Sequence, residues 1–568
     1  MNFDKNVYTV ESLTVGAHTI RYRQFVDLLY VDLPANAAYQ RMNIYAPEGF
    51  YEGESINGYT LATAPVFMPN QVGGYMPGEP AVPGETREGS GIPNTVFCAL
   101  EHGYVVAAPA IRGRGQQDEN KTYTGKAPAC IVDYKAAVRY LHAFAKDLPG
   151  DEEKIITNGT SAGGALSSLV GSSGNHPDYE PYLKAIGAAD TGDGIFAASC
   201  YCPIINLEHA DAAYEWQFLG VNEFHRMQMN LTEGGRPEFS AVDGDMTPEQ
   251  VQTSKDEAAF FPEYVNSLGL KDEQGRALTL AADGTGTFLE YVKAIVLESA
   301  QKALDRKTDL SGETWLTVED GRAVGMDFPA YARAITRMKT APAFDGLELE
   351  TAENDLFGSE NVNCRHFTKY SLQHSKKRGE MAPEQVVRML NPMSYVDVAD
   401  AQKAKYFRIR HGECDRDTSL AISAILVAKL RAQGCSVDYH APWGVPHAGD
   451  YDLDELSFVA DKSFSGPVTL SFTVYGGSGT KTNRSETGTL VINASGKSTS
   501  SKGDITYEVK AGDEVSFSGR DFEKYFDKYC DGTFRYVEFD RPNSSDYADG
   551  YIYFRHGKTR EDYFSRTQ

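Results

Sequence analysis

Gly159-Thr160-Ser161-Ala162-Gly163 follows a β-branched run at 154–157 and opens a helical run at 165–170. A serine at the tip of a sharp strand-to-helix turn exposes its hydroxyl, and glycines on either side make room for the turn, so Ser161 is the candidate nucleophile for attack on an acyl carbon. In a chain with 53 glycines the five-residue pattern alone says little; the strand before it and the helix after it carry the reading. A serine hydroxyl needs an imidazole to take its proton, and the imidazole needs a carboxylate to fix its tautomer. Two later segments supply them in the order serine, acid, histidine. Arg410-His411-Gly412-Glu413-Cys414-Asp415-Arg416-Asp417 leaves a strand at 406–410, and Trp443-Gly444-Val445-Pro446-His447 leaves a strand at 436–441. Asp415 is read as the orienting acid and His447 as the general base. Asp417 is the alternative acid, or a helix N-terminal acid, and His411 is read as structural.

A tetrahedral intermediate needs backbone donors for its oxyanion, and losing one costs about 3–4 kcal/mol in the barrier. The Ala162 N–H is one. The second is expected from Asn70-Gln71-Val72-Gly73-Gly74-Tyr75, where paired glycines let the backbone approach a substrate; Gly74 is preferred, with Gly73 as the alternative. Arg112-Gly113-Arg114-Gly115 is read as a structural loop. The sequence has no phosphate-cradling GxxxxGK[ST], no HExxH and no CxxC pair, so no nucleotide, catalytic metal or other cofactor is expected.

These loops need a parallel sheet behind them. Strands are expected at 42–45, 64–68, 104–108, 154–157 and 195–202, with a crossover helix at 131–146 that stops at Pro149-Gly150. The same grammar returns after Asn391-Pro392, with a helix at 418–433 between the strands at 406–410 and 436–441. The expected core is therefore split, 1–207 with 396–462. Residues 208–395 read as a mainly helical insertion without a strong strand, including a capping box at Thr247 to Gln250 and a helix at 288–302. Residues 463–568 read as an all-β sandwich domain of short strands separated by Gly/Ser/Asn-rich turns. Its Asn543, Asp546 and Asp549 are read as a solvated turn rather than a calcium loop.

With 568 residues, 41% hydrophobic and 24% charged, the chain is a folded protein of more than one domain. The 55 basic residues against 79 acidic ones leave a net charge of −24, which argues against a nucleic-acid partner; Lys376-Lys377-Arg378 is too short to change that. No apolar run is long enough for a membrane span and the N-terminus lacks a signal-peptide core, so the expectation is a cytoplasmic protein, or a secreted one whose leader has been removed. The eight cysteines are dispersed. The close pair Cys200 and Cys202 is read as buried packing rather than redox or metal chemistry.

Four segments in register, 70–78 (Asn-Gln-Val-Gly-Gly-Tyr-Met-Pro-Gly), 159–164, 410–419 and 446–452 (Pro-His-Ala-Gly-Asp-Tyr-Asp), resemble the bacterial tannases over about residues 10–462. The resemblance implies an α/β-hydrolase fold whose 208–395 insertion is a lid, and hydrolysis of galloyl esters, in tannins or alkyl gallates, to gallate and an alcohol. It also implies that the three ring hydroxyls are held by Lys339, Glu353 and Asp417. That is sensible chemistry, since carboxylates accept from phenols while an ammonium donates to a phenol oxygen. Two other readings stand beside it: a broader phenolic-acid esterase of the feruloyl type, and a non-catalytic polyphenol- or glycan-binding protein.

Overall fold

The computed structural model describes residues 1–231 and 237–453, together with seven short strands between 467 and 552. The chain opens with β1 (Thr9–Val15) and β2 (His18–Leu29), an antiparallel hairpin that the sequence reading did not foresee. Only alternate residues in the first half of β2 are buried, so it lacks the continuous apolar run that marks an inner strand. β3 (Arg41–Pro47), β4 (Pro65–Pro69), β5 (Val105–Pro109), β6 (Asp151–Thr160) and β7 (Ala197–Tyr201) follow. Every residue of β4, β5 and β7 is buried, as expected for parallel strands covered on both faces. The helices among them are α1 (Thr95–Glu101), α2 (Ala129–Ala143), α3 (Ala162–Ser172) and α4 (Glu180–Ala185).

Between β7 and the return to the sheet lie α5 (Leu207–Phe218), α6 (Pro248–Ser267), α7 (Thr287–Asp305), α8 (Phe328–Ile335), α9 (Ala352–Leu356), α10 (Lys369–Gln373) and α11 (Glu384–Met389). Trp216 of α5 ties four of them together, with its ring 5.1 Å from Phe261, 6.0 Å from Phe288 and 5.3 Å from Phe328. The expected capping box is formed, Thr247 accepting from the Gln250 amide while Gln250 accepts from the Thr247 amide. The expectation of no strong strand fails, because two hairpins interrupt the helices: β8 (Glu223–Leu231) with β9 (Pro237–Asp245), and β10 (Leu316–Glu319) with β11 (Arg322–Met326). β10 and β11 are largely exposed, so no buried alternation marks them in the sequence.

β12 (Tyr406–Arg410), α12 (Leu420–Ala432) and β13 (Ser436–His440) complete the body. The nine strands run in the order β1-β2-β3-β5-β4-β6-β7-β12-β13, parallel from β5 to β13. β6, β7, β12 and β13 are consecutive neighbours in this order. The loops that leave their C-terminal ends therefore converge on one edge, the place where open α/β sheets bind ligands.

Beyond 466 the described strands are Pro467–Tyr475, Ser485–Asn493, Ser498–Ser501, Asp504–Tyr507, Val515–Gly519, Phe539–Asp540 and Tyr551–Ile552, in one five-stranded and one two-stranded sheet. The boundary expected near 462, and the turn at Asn543, Asp546 and Asp549, lie outside the described residues.

Candidate active site

β6 runs straight into Ser161, whose φ of 61° and ψ of −120° are costly for a residue with a Cβ, on the order of 1–3 kcal/mol. The turn is held from three directions. The Ser161 amide donates to the Tyr201 carbonyl (2.9 Å), and the Ser161 carbonyl accepts from Ala165 (2.9 Å) and Ile204 (3.2 Å). The flanking glycines are required by space: a Cβ on Gly159 would stand 2.5 Å from Asn70 Nδ2, and one on Gly163 would stand 2.5 Å from Asn70 Oδ1. Asn70 fills that gap and donates through Nδ2 to the Asn158 and Gly163 carbonyls, both at 3.0 Å, so the loop after β4 is stapled to the elbow. Ala162 is the first residue of α3 and is fully buried.

Gly74 has a φ of 53°, the left-handed region that favours glycine. Its carbonyl accepts from Arg114 Nε at 2.7 Å, and Arg114 Nη1 donates to Asp355 at 2.8 Å. Lys126 also pairs with Asp355. The 112–115 segment is structural, as expected, with Arg112 paired to the buried Asp133; Arg114 in addition holds the very loop that presents Gly74.

Asp415, on the turn after β12, accepts from His447 Nδ1 at 2.8 Å through one oxygen and from the Asp417 amide at 2.8 Å through the other. Burial would raise this carboxyl, but the His447 and His411 rings outweigh it and hold it at about 2. Burial works against charge on His447 as well. The Asp415 carboxylate and its hydrogen bond prevail there, and the ring lies well above the usual imidazole value. His411 is fully buried, its Nδ1 within 2.8 Å of Ser423 Oγ and its Nε2 3.6 Å from Asp415, a supporting place behind the acid.

Two close contacts aim the His447 loop. A Cβ on Gly449 would come within 1.8 Å of Thr160 Oγ1, so the loop lies directly against the residue before Ser161. Asp452 accepts from Tyr201 Oη at 2.6 Å and from Arg410 Nε at 3.2 Å, and pairs with Arg408, which ties the loop to β7 and β12.

Asp417, the alternative acid, is on the other side of the ring. Its Oδ2 is 3.7 Å from His447 Nε2 and 3.4 Å from Lys339 Nζ. Lys339 sits over the Phe344 ring at 3.9 Å. Glu353, at the start of α9, is 7% exposed; burial pushes its carboxyl up, opposed by the Lys339 ammonium. The fold thus gathers His447, Asp415, Asp417 and Lys339 into one chain of contacts, with Glu353 near enough to Lys339 and Asp417 to feel both charges.

Three supporting residues escaped the sequence reading. Tyr214 Oη donates to the Arg416 carbonyl (2.8 Å) and accepts from the Met338 (3.0 Å) and Lys339 (3.1 Å) amides, so one phenol holds the segments that carry Lys339 and Asp417. The fully buried Arg337 pairs with Glu215 at 2.6 Å and donates from Nε to the Lys339 carbonyl. Cys202 is buried, as expected, but its Sγ lies 3.9 Å from His447 Nε2. Its position just past the end of β7, the strand between β6 and β12, was the available signal.

Fold and site together define an esterase of the α/β-hydrolase class, a carboxylic ester hydrolase. Comparison with known proteins narrows this. The BD-FAE family model matches residues 82–197. Esterase LipQ of Mycobacterium tuberculosis is 32% identical over 97 residues, 17% of this chain and 22% of LipQ, so the chain spans about a fifth of that relative's length. The crystal structure of tannase from Lactobacillus plantarum is 43% identical, with a TM-score of 0.78, over 81% of this chain and 98% of that one. Fusobacterium nucleatum tannase is 44% identical with the same TM-score and coverage. A tannin acyl hydrolase solved in complex with ethyl gallate is 42% identical, with a TM-score of 0.75, over 81% of this chain and 98% of that chain. The chain belongs to the tannase family.

Proposed function

We propose that the protein hydrolyses galloyl esters, tannins or alkyl gallates, to gallate and an alcohol through a galloyl-enzyme on Ser161. His447 Nε2 takes the Ser161 proton as Oγ attacks the ester carbonyl. The amides of Ala162 and Gly74 receive the oxyanion, and the imidazolium, stabilised by Asp415, returns the proton to the departing alkoxide. Water, activated by the same ring, then attacks the acyl carbon, releases gallate and restores the serine. Lys339, Glu353 and Asp417 pair the three ring hydroxyls. The observation that carries this reading is the Asp417 carboxylate, which stands between the Lys339 ammonium and the reacting side of His447. A ring seated on that ion pair has its ester beside the imidazole, and a site built to pair hydroxyls rejects rings that lack them by large factors.

The competing feruloyl-type reading is separated by competition of methyl gallate with methyl ferulate for one enzyme sample. Consumption of the gallate first is expected; equal consumption of the two contradicts the assignment. The division into 1–207 with 396–462, the 208–395 lid and the 463–568 β domain belongs to the same proposal, and limited proteolysis is expected to cut first near 462. Among the described residues no helix is long and apolar enough to cross a membrane.

A further inference from the structure

The catalytic imidazole has a second neighbour on the side where the serine proton must arrive. One ligand atom each from Cys202, Asp415 and His447 lies within 4.8 Å of the others. Cys202 Sγ is 3.9 Å from His447 Nε2 and 3.4 Å from the Ala448 carbonyl. The Cys202 backbone has a φ of 33°, an unfavourable conformation for a residue with a Cβ, and its amide donates to the Arg410 carbonyl at 2.6 Å. The strand end therefore fixes the backbone from which the thiol projects, and Sγ lies against the Ala448 carbonyl and the His447 ring.

The geometry points to a binding site for a thiophilic divalent cation, of the zinc or cadmium class, between Cys202 Sγ and His447 Nε2. With metal–sulfur near 2.3 Å and metal–nitrogen near 2.0–2.1 Å, tetrahedral ligands of these two kinds stand about 3.5 Å apart. The 3.9 Å separation closes with a shift of a few tenths of an ångström. The other ring nitrogen already donates to Asp415, which is the carboxylate–histidine–metal arrangement that fixes the tautomer and strengthens the ligand. Asp417 Oδ2, 3.7 Å from Nε2, is paired with Lys339 and lies outside that group of ligand atoms, so solvent completes the coordination of a cation held by the two side chains. Thiolate and imidazole together select soft and borderline ions over magnesium or calcium. As the metal–sulfur bond forms, the thiol proton leaves to solvent.

The consequence is inhibition. The lone pair on Nε2 that the metal occupies is the one that accepts the Ser161 proton. This consequence rests on the proposed role of His447; binding of the cation does not. Cadmium is the probe, because a thiolate–cadmium bond adds an ultraviolet charge-transfer band that reports binding without turnover. The full chain is titrated with Cd²⁺ and compared with Cys202→Ser, Cys202→Ala and His447→Ala, each first shown to keep the wild-type circular dichroism. Both Cys202 variants are expected to bind one equivalent less than wild type and to lose the corresponding absorption, and His447→Ala to bind at least ten-fold more weakly. Inhibition of ester hydrolysis by Cd²⁺ is expected to need at least ten-fold more metal in the Cys202 variants. Unchanged stoichiometry and absorption in both Cys202 variants, or unchanged affinity in His447→Ala, overturns the site. A His447→Ala enzyme that still turns over contradicts the triad instead, and leaves the absorption result standing.

Discussion

Arg114 Nε donates to the carbonyl of Gly74 while Arg114 Nη1 bonds Asp355, two residues beyond Glu353 on α9. One guanidinium thus joins the loop proposed to bind the oxyanion to the helix proposed to bind the ring. Removing it loosens the Gly74–Tyr75 peptide, adjacent to the Gly74 amide proposed to donate, and leaves the ground-state contacts of the substrate in place. Arg114→Ala is expected to lower kcat by about 10-fold or more, approaching the 10²–10³ loss for a missing oxyanion donor, with KM within a factor of about two. Arg114→Lys, which keeps the charge and one donor, should recover part of kcat. Steady-state kinetics on methyl gallate decide; a loss confined to KM would place Arg114 in substrate binding alone.

Asp415 sets the pH dependence. His447 is held well above the usual imidazole value, and in the proposed role of general base it can take the serine proton only when neutral. Activity therefore falls as pH drops through that raised value. Asp415→Asn removes the charge that favours imidazolium, so the acid limb of kcat/KM should move to lower pH, while kcat falls by about 10⁴. A pH–rate profile checks both, and an acid limb that stays in place would deny the Asp415–His447 coupling.

Gly449 has no room for a side chain against Thr160. Gly449→Ala should displace the His447 loop, lowering stability by about 1–3 kcal/mol and turnover with it. Thermal unfolding and kcat on the same preparation test this. Wild-type values for both would mean that the loop relaxes freely.

Asp452 is the counter-charge of the buried Arg408 and Arg410. Burial raises its carboxyl, yet the two guanidiniums outweigh that and hold it at about 2. A depressed carboxyl contributes stability that is fully present above its unfolded value, about 3.9, and is lost as pH falls toward the folded value. Asp452→Ala is expected to cost about 3–5 kcal/mol at neutral pH, because it removes one partner of a buried ion pair. The difference from wild type should shrink in urea unfolding performed at progressively lower pH below about 4. A constant difference across that range would contradict the ion-pair account.

The elbow was legible because its rules are local. Gly159, Ser161 and Gly163 fall within five residues, and steric demands at one turn dictate their types. Asp415 and His447 were legible through chain order and position after strands. The hydrogen bond between them then follows from β12 and β13 being adjacent and parallel. Tyr214, Arg337 and Cys202 were hidden for the opposite reason. Tyr214 meets Arg416 202 positions away, and Cys202 meets His447 245 positions away. No periodicity in a single sequence encodes such distances. β1 and the β10–β11 hairpin were missed because largely exposed strands carry little hydrophobic pattern.

The central claim is that the chain recognises its substrate by the ring hydroxyls and cleaves the ester beside them. The most direct test is kcat/KM for methyl gallate and for methyl benzoate, measured on wild type and on Lys339→Ala. Wild type should prefer the gallate by on the order of 10⁴, the factor by which hydroxyl-pairing sites reject analogues without them. In Lys339→Ala that preference should collapse through loss on the gallate, with the benzoate rate nearly unchanged. Comparable rates on both esters, insensitive to the substitution, would leave an esterase whose ring-binding site lies elsewhere.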